Sequence, residues 1–383
     1  MSVEERTQAI GRELFAAAKS QHAHLSAPNR WTAQVLSWCL SDPAVKANVL
    51  RFIDVLPSLQ GPRAVAQHVL EYFSASDARL PSALRLGSTL AQPGLLTAPA
   101  IAAMVRRLVE QVARQFIAER RPDGILHVVQ QLASQGALAS VDVLGEQVLS
   151  EADADRYLEQ CSLLLRDASA AYKRPGLAMP AAVCGPVVNL SVKPSALTPR
   201  FDPISPPESV ERALLRLAPL LHTASELGAC VNLDMEHYEL RDLTILLAKQ
   251  ALAHPSVGGK SALGLVVQAY LRDAEEAVED LLAFLASNKR SLTIRLVKGA
   301  YWDHEMVVAA QRHWPVPVYQ QKAQTDRAFE RLTQRLLGAH PLVTTAIASH
   351  NVRSIAHAMA VAEALALAPN QVEFQLLYGM GDA

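Results

Sequence analysis

The chain has 383 residues, half of them hydrophobic, enough to bury a sizeable core in one large domain plus a second. Lys+Arg number 36 against Asp+Glu 37, a net charge of -1, which argues against nucleic acid as a partner. The longest apolar runs, such as residues 359–368 with Glu363 inside them, are too short to cross a bilayer. The first twenty residues are charged and amphipathic, with no apolar core or cleavage site of a secretory signal. Cys39, Cys161, Cys184 and Cys230 never pair at CxxC spacing. Buried, reduced thiols in a cytoplasmic protein are the expectation, and no metal is expected.

Up to about residue 175 the pattern is helical. Residues 4–19, 31–40, 43–56, 65–73, 98–116 and 125–135 carry apolar side chains at three- and four-residue spacing. Turn chemistry separates them: Ala27-Pro28-Asn29, Gly61-Pro62, Gln92-Pro93-Gly94 and Arg121-Pro122-Asp123-Gly124. Residues 140–146 break the pattern as a short strand or turn. A further helix is expected from Ser150 or Asp153 to about Tyr172.

Beyond residue 175 the period changes. Short β-branched runs are expected as strands at 187–193, 230–234, 263–269, 292–297, 316–319, 343–348 and 372–376. Helical stretches are expected at 207–227, 240–253, 274–287, 325–337 and 352–367. Such alternation implies parallel strands joined by right-handed crossovers. Seven strands favour a (β/α)8 TIM-like barrel over a doubly wound sheet, which would announce itself with a glycine-rich first turn; no GxGxxG occurs.

Polar residues then fall at the C-terminal ends of the expected strands: Lys193; Asp234 and Glu236; Gln268 and Tyr270; Lys298, Tyr301, Trp302 and Asp303; Lys322, Thr325 and Asp326; His350 and Asn351; Gln375 and Tyr378. In a barrel these ends share one face, where active sites form. Arg295 sits between Ile294 and Leu296, so an inward arginine must meet an anion or strong acceptor. The bland reading of any one of these positions is a solvated loop residue. Gly258-Gly259-Lys260-Ser261 is not a phosphate loop, because His254 stands where the first glycine belongs and the segment precedes a strand. Ser195 and Ser349 lack a nucleophile elbow.

In order and spacing, SVKPSAL, NLDMEHYE, VVQAYLRD, IRLVKGAYWDHE, KAQTD, SHN and EFQLLYGMGD resemble the proline dehydrogenase domain of the proline utilization A family. The resemblance runs from about residue 138 to the end, through SVDVLGEQVLSEADADRYL. The helical first third resembles the family's N-terminal arm and helical domain less specifically. Domains at 1–137, all-helical, and 138–383, the barrel, are expected.

The resemblance implies FAD at the barrel mouth, oxidation of L-proline to Δ1-pyrroline-5-carboxylate, and transfer of electrons to a membrane quinone through peripheral membrane contact. It implies that Lys193 contacts the proline carboxylate and that Asp234 shapes the same pocket. Arg295 is implied beside the reactive edge of the flavin. Gln268, Val297, Lys298, Gly299, Ala300 and Trp302 are implied to line the cofactor, with Lys322, Thr325, His350, Asn351 and Gln375 holding its phosphates, ribityl chain and adenosine. Tyr301 and Leu377 are implied as walls of the proline site. Glu146 matches an acidic residue that gates entry. A fused or separate pyrroline-5-carboxylate dehydrogenase and a homo-oligomer are also implied.

The sequence stops at Gly381-Asp382-Ala383, whereas the family continues with an eighth strand and a helix bearing paired arginines and a glutamate. The expectation is therefore an incomplete barrel and a fragment with impaired turnover. Two other readings stay open at this point. One is a barrel lyase or isomerase using Lys193 or Lys298 as a Schiff-base amine. The other is a non-catalytic barrel remnant acting as an assembly module.

Overall fold

The computed structural model describes residues 2–22, 43–74, 98–114, 116–117, 122–143, 148–177, 184–254 and 263–380. The expected helix at 31–40 and Glu146 lie outside them. The chain divides into two units, one of residues 1–15 and 120–376, the other of residues 16–119 and 377–383.

The smaller unit is helical. Helix α1 (Val3–His22) runs into it, and α2 (Pro43–Val55), α3 (Gly61–Ser74) and α4 (Ala98–Ala113) form its body. Their apolar stripes meet in a core of Phe52, Leu56, Val65, Ala102 and Val105. Phe52 packs edge-on against Tyr72 and Phe73, with ring centres 6.1 and 5.7 Å away.

The larger unit alternates strands and helices. In chain order it contains α5 (Pro122–Ser134), β1 (Ser140–Asp142), α6 (Glu151–Tyr172), β2 (Val188–Val192), α7 (Pro206–Leu227), β3 (Ala229–Leu233) and α8 (Tyr238–Ala253). It continues with β4 (Leu263–Gln268), α9 (Ala274–Asn288), β5 (Leu292–Val297), α10 (Trp302–Arg312), α11 (Lys322–Leu337), β6 (Val343–Ala348), α12 (Val352–Ala364) and β7 (Val372–Gln375). The seven strands form one all-parallel sheet in the order β1 to β7, a curled half-barrel within an α/β fold. The expected barrel class stands.

One of the expected strands needs correction. Residues 316–319 are not a barrel strand. They make only an antiparallel bridge between Val318 and Leu271, across the rim. Pro315 and Pro317 remove alternate backbone donors, so this β-branched run has no complete ladder to offer a parallel neighbour. The seventh strand is β1, within the segment at 140–146 expected as a short strand or turn. Helix α10 is also absent from the expected elements, which place no helix between residues 287 and 325.

Register separates the two faces of the sheet. Leu190, Val231, Leu263, Leu265, Ile294, Leu296 and Ile347 face outward and are buried under the helices. The inward rows are polar. One runs Asp142, Ser191, Asn232, Gly264, Thr293, Thr344, and another runs Val266, Arg295, Ala346, Glu373. Barrel interiors usually fill with branched apolar residues. An interior of amides, hydroxyls and charges must be satisfied by itself or by a ligand.

Gly264 shows how tight that interior is. A Cβ there would meet Asn232 Oδ1 at 1.8 Å. Asn232 is buried and donates to Asn189 Oδ1. Gly264→Ala should displace the Asn232 amide and break this pair, costing about 2–4 kcal/mol. The midpoint of urea unfolding would measure it, and an unchanged midpoint would refute the packing argument.

Helix α1 contributes an anchor within the larger unit. Ile10 is buried against Ala356 and Ala360 of α12. Arg353 donates to both Glu4 oxygens at 3.0 Å, and Arg6 donates to Glu363 at 2.6 and 2.9 Å. No helix among the described residues is long and apolar enough to cross a membrane.

Candidate active site at the barrel mouth

Helix α6 fixes the entrance to the site. Ser150 caps it by accepting the Asp153 N–H. Its buried Tyr157 hydroxyl accepts the Lys193 backbone N–H at 3.0 Å, and its Tyr172 hydroxyl accepts the Ala139 N–H at 2.6 Å. The end of β2 and the start of β1 are thus pinned to one helix. Beyond β3, Glu236 accepts the Ser195 N–H at 3.0 Å and the Ser195 hydroxyl at 2.6 Å. Gln268 donates to the Met235 and Glu236 carbonyls at 3.2 and 3.3 Å. The rims of β2, β3 and β4 are tied together this way.

Over this frame lies a four-charge cluster. Lys193 Nζ stands 3.3 Å from Asp142 Oδ2 and 3.3 Å from Asp234 Oδ2. Arg295 Nη1 donates to Ser191 Oγ at 2.8 Å and to Asp234 Oδ1 at 3.2 Å, and its Nη2 donates to Ser140 Oγ at 3.2 Å. Arg295 belongs to β5 and Ser140 to β1. Four strand spacings on a flat sheet would separate them by about 19 Å, far beyond one side chain, so this bond is a direct consequence of the curl.

Lys193, Asp234 and Arg295 are therefore brought together as anticipated. Two cations face two carboxylates, with the Lys193 and Arg295 side chains only 17% and 12% exposed. Burial opposes the Lys193 ammonium, but Asp234 and Asp142 outweigh it and raise its pKa. Burial, then Asp234, pushes the Asp142 carboxyl up against the pull of Lys193 and Arg295. Asp142 was missed by the sequence reading. Its signal was the alternation Ser140, Val141, Asp142 in the segment expected as a short strand or turn.

The other expected residues of the larger unit that are described lie at or after the C-terminal ends of its strands. Gln268 and Val297 are inward at the ends of β4 and β5. Gly299 has φ of +128°, and a Cβ there would meet the Tyr270 ring at 2.5 Å, so the rim turn requires glycine. Ala300 is exposed beside it. Lys298 pairs with Asp326, which Lys322 also reaches at 2.7 Å. Burial opposes the charge of Asp326, but these lysines hold its carboxyl below the usual range. Trp302 donates its indole N–H to the Tyr319 carbonyl at 2.9 Å, and Thr325 is buried on α11. Tyr301 packs edge-on against His237 at 4.5 Å. His350 is exposed after β6, and Asn351 caps α12 by accepting the Ser354 N–H at 3.0 Å. Gln375 donates to Glu373 Oε1 at 2.6 Å. Leu377 lies past β7 in the smaller unit.

Two observations bear on a flavin. Arg295 Nε and Gln268 Oε1 are buried polar atoms with no hydrogen-bond partner among the described residues, a donor and an acceptor left over at the mouth. The inward residues of β6 in this region are Ala346 and Ala348, flanked by Arg295 on β5 and by Glu373 and Gln375 on β7. Two small side chains between polar ones fit a flat, polar ring system.

The sequence matches the proline dehydrogenase family over residues 125–383 and the proline utilization A N-terminal domain over residues 4–116. It is 30% identical to the bifunctional protein PutA of Escherichia coli over 287 residues, 73% of this chain and 21% of that protein. It is 27% identical to proline dehydrogenase 1 of Bacillus subtilis over 270 residues, 70% of this chain and 74% of that one. Its fold superposes on proline utilization A from Bdellovibrio bacteriovorus inactivated by N-propargylglycine, with a TM-score of 0.85 and 32% identity, covering all of this chain and 38% of that structure. The chain spans about a fifth of the length of the bifunctional relatives it matches. With the family pattern covering two thirds of its length, the chain belongs to the proline dehydrogenase family.

Proposed function

We propose that this chain carries the proline-oxidising site of a proline utilization protein, converting L-proline to Δ1-pyrroline-5-carboxylate with FAD and passing electrons to a membrane quinone. The observation that supports it most is the balanced cluster of Lys193, Arg295, Asp142 and Asp234 at the mouth of a barrel whose interior is polar. A ligand carboxylate entering there meets cations already positioned by two aspartates.

The flavin, when bound, supplies the two-electron acceptor that no side chain can provide. The chain's own residues bind and orient. Lys193 has three donors, of which Asp142 and Asp234 occupy two, leaving one N–H for the proline carboxylate. Asp234 holds Lys193 and Arg295 in register by accepting from both. Arg295 offers its remaining Nε–H to the flavin edge, where a fixed cation stabilises negative charge. Gln268, Val297, Lys298, Gly299, Ala300 and Trp302 line the cofactor in this reading. Lys322, Thr325, His350, Asn351 and Gln375 hold its remainder. Tyr301 and Leu377 wall the proline site, and Glu146 gates it. The helical part is assigned to residues 1–137 and the barrel to residues 138–383. Peripheral membrane contact, a linked pyrroline-5-carboxylate dehydrogenase and a homo-oligomer complete the reading.

The test is the visible absorbance spectrum of the purified protein, followed by anaerobic addition of L-proline. Oxidised-flavin bands that bleach with proline are the expected result. A colourless protein that does not take up FAD would overturn the assignment.

A further inference from the structure

Glu373 is a carboxylate on the inward face of β7 that the reading above does not use. Its row in the sheet runs through Ala346 to Arg295. Glu373 accepts a hydrogen bond from Gln375, two residues on and on the same face, at 2.6 Å. The groups whose charge bears on it from other elements are few. Arg295 reaches it from β5 and favours its ionised form. Cys230 on β3 and Cys184 ahead of β2 are thiols whose own pKa values burial pushes up to about 12 and about 11, so both are neutral at physiological pH. The inward residues of β6 beside it are Thr344, Ala346 and Ala348, which do not titrate.

The chemistry of this pair is restrictive. An ionised carboxylate only accepts, so it must receive the amide N–H of Gln375, and the Gln375 carbonyl oxygen is then turned away. A protonated carboxyl has a hydrogen to give. It can donate to the Gln375 oxygen, and the amide NH2 then turns away instead. We propose that Glu373 is a positioning residue whose proton selects which end of the Gln375 amide, acceptor or donor, is presented at the barrel mouth. This rests on the flavin-site reading for its use, since Gln375 is among the residues assigned to the cofactor, but the couple itself is a property of the chain alone.

The balance lies within reach of a proton. Burial raises the Glu373 carboxyl, while the Gln375 hydrogen bond and the Arg295 charge hold it back, with burial the stronger. A folded pKa above the unfolded value means that the folded chain binds more protons between the two. The stabilising contribution of Glu373 is then complete below the ordinary carboxylate pKa and is lost as pH rises through the raised one.

The experiment is an infrared titration of protonated-carboxyl absorption in the flavin-free protein, repeated with FAD bound. The wild-type protein should show two carboxyls that deprotonate above the ordinary carboxylate range, Asp142 and Glu373, the second identified by its loss in the variant at 373. Glu373→Gln should remove one of the two signals and leave that of Asp142, and the Glu373 signal is the one followed below. Gln375→Leu should shift its midpoint higher, because the ionised form loses its donor. The amide carbonyl absorption of Gln375 should move in step with the same midpoint. A wild-type signal indifferent to Gln375→Leu, or an amide band unmoved through the titration, would overturn the proposal. Thermal unfolding against pH is the second readout, in which Glu373→Gln should gain on the wild type as pH rises past the midpoint and lose that gain below it. No such divergence would equally count against it. Failure to bind FAD with the titration intact would sink the functional reading and leave the Glu373–Gln375 couple standing.

Discussion

Replacing Arg295 with methionine should slow proline-dependent flavin bleaching by about 10²–10³-fold, the usual size of the loss when one preorganised donor at a developing charge is removed. The same change should lower stability by about 3 kcal/mol. Both follow from one arrangement. Arg295 satisfies Ser191, Asp234 and Ser140 at once, on three different parts of the sheet. Methionine keeps the length and apolar stem but leaves the Asp234 carboxylate with Lys193 alone. Arg295→Lys should restore part of the stability and little of the rate, because a single ammonium cannot reproduce the planar fork. Stopped-flow bleaching and urea unfolding separate the two effects. Unchanged bleaching in Arg295→Met would place the arginine outside the chemistry.

Lys193→Met should raise the proline concentration for half-maximal bleaching by roughly 30–150-fold, since a charged hydrogen bond to a carboxylate is worth about 2–3 kcal/mol. The limiting rate should change less, because the lysine binds ground state and transition state alike. Asp142 sharpens the test. It competes with a ligand carboxylate for the Lys193 ammonium, at 3.3 Å. Asp142→Asn should therefore tighten proline binding several-fold. It should also remove a rise in affinity at low pH, where protonation of a carboxyl already pushed up by burial and Asp234 does the same job. A Lys193→Met protein with normal proline saturation would show that the cluster holds something else.

The dominant pattern of the chain was legible from one dimension because periodicity is local. Helices α1 to α9, α11 and α12 follow from three- and four-residue apolar spacing, and the core strands from short β-branched runs. Gathering of polar residues at strand ends also followed, because parallel strands place all their C-terminal ends on one side. Lys193 and Asp234 were found that way and Arg295 by its place inside an apolar run, and the structure joins them directly. Errors came where local pattern and tertiary pairing disagree. The valines at 316 and 318 read as a strand, but their flanking prolines keep them out of the parallel sheet. For Ser140 to Asp142 the local pattern left strand or turn open, and the ladder that β2 offers decides for the strand.

By itself the sequence determined the βα alternation, the apolar outer face and the inventory of charges. Which charges meet was decided only by the curl of the sheet. Arg295 and Ser140 lie 155 residues apart and four strands apart, and nothing in either local segment encodes their contact. The same holds for Asp142 with Lys193 and for Glu373 in the row of Arg295. Side-chain identity and period are carried by neighbours in the chain, whereas a charge's partner depends on how far the whole sheet bends.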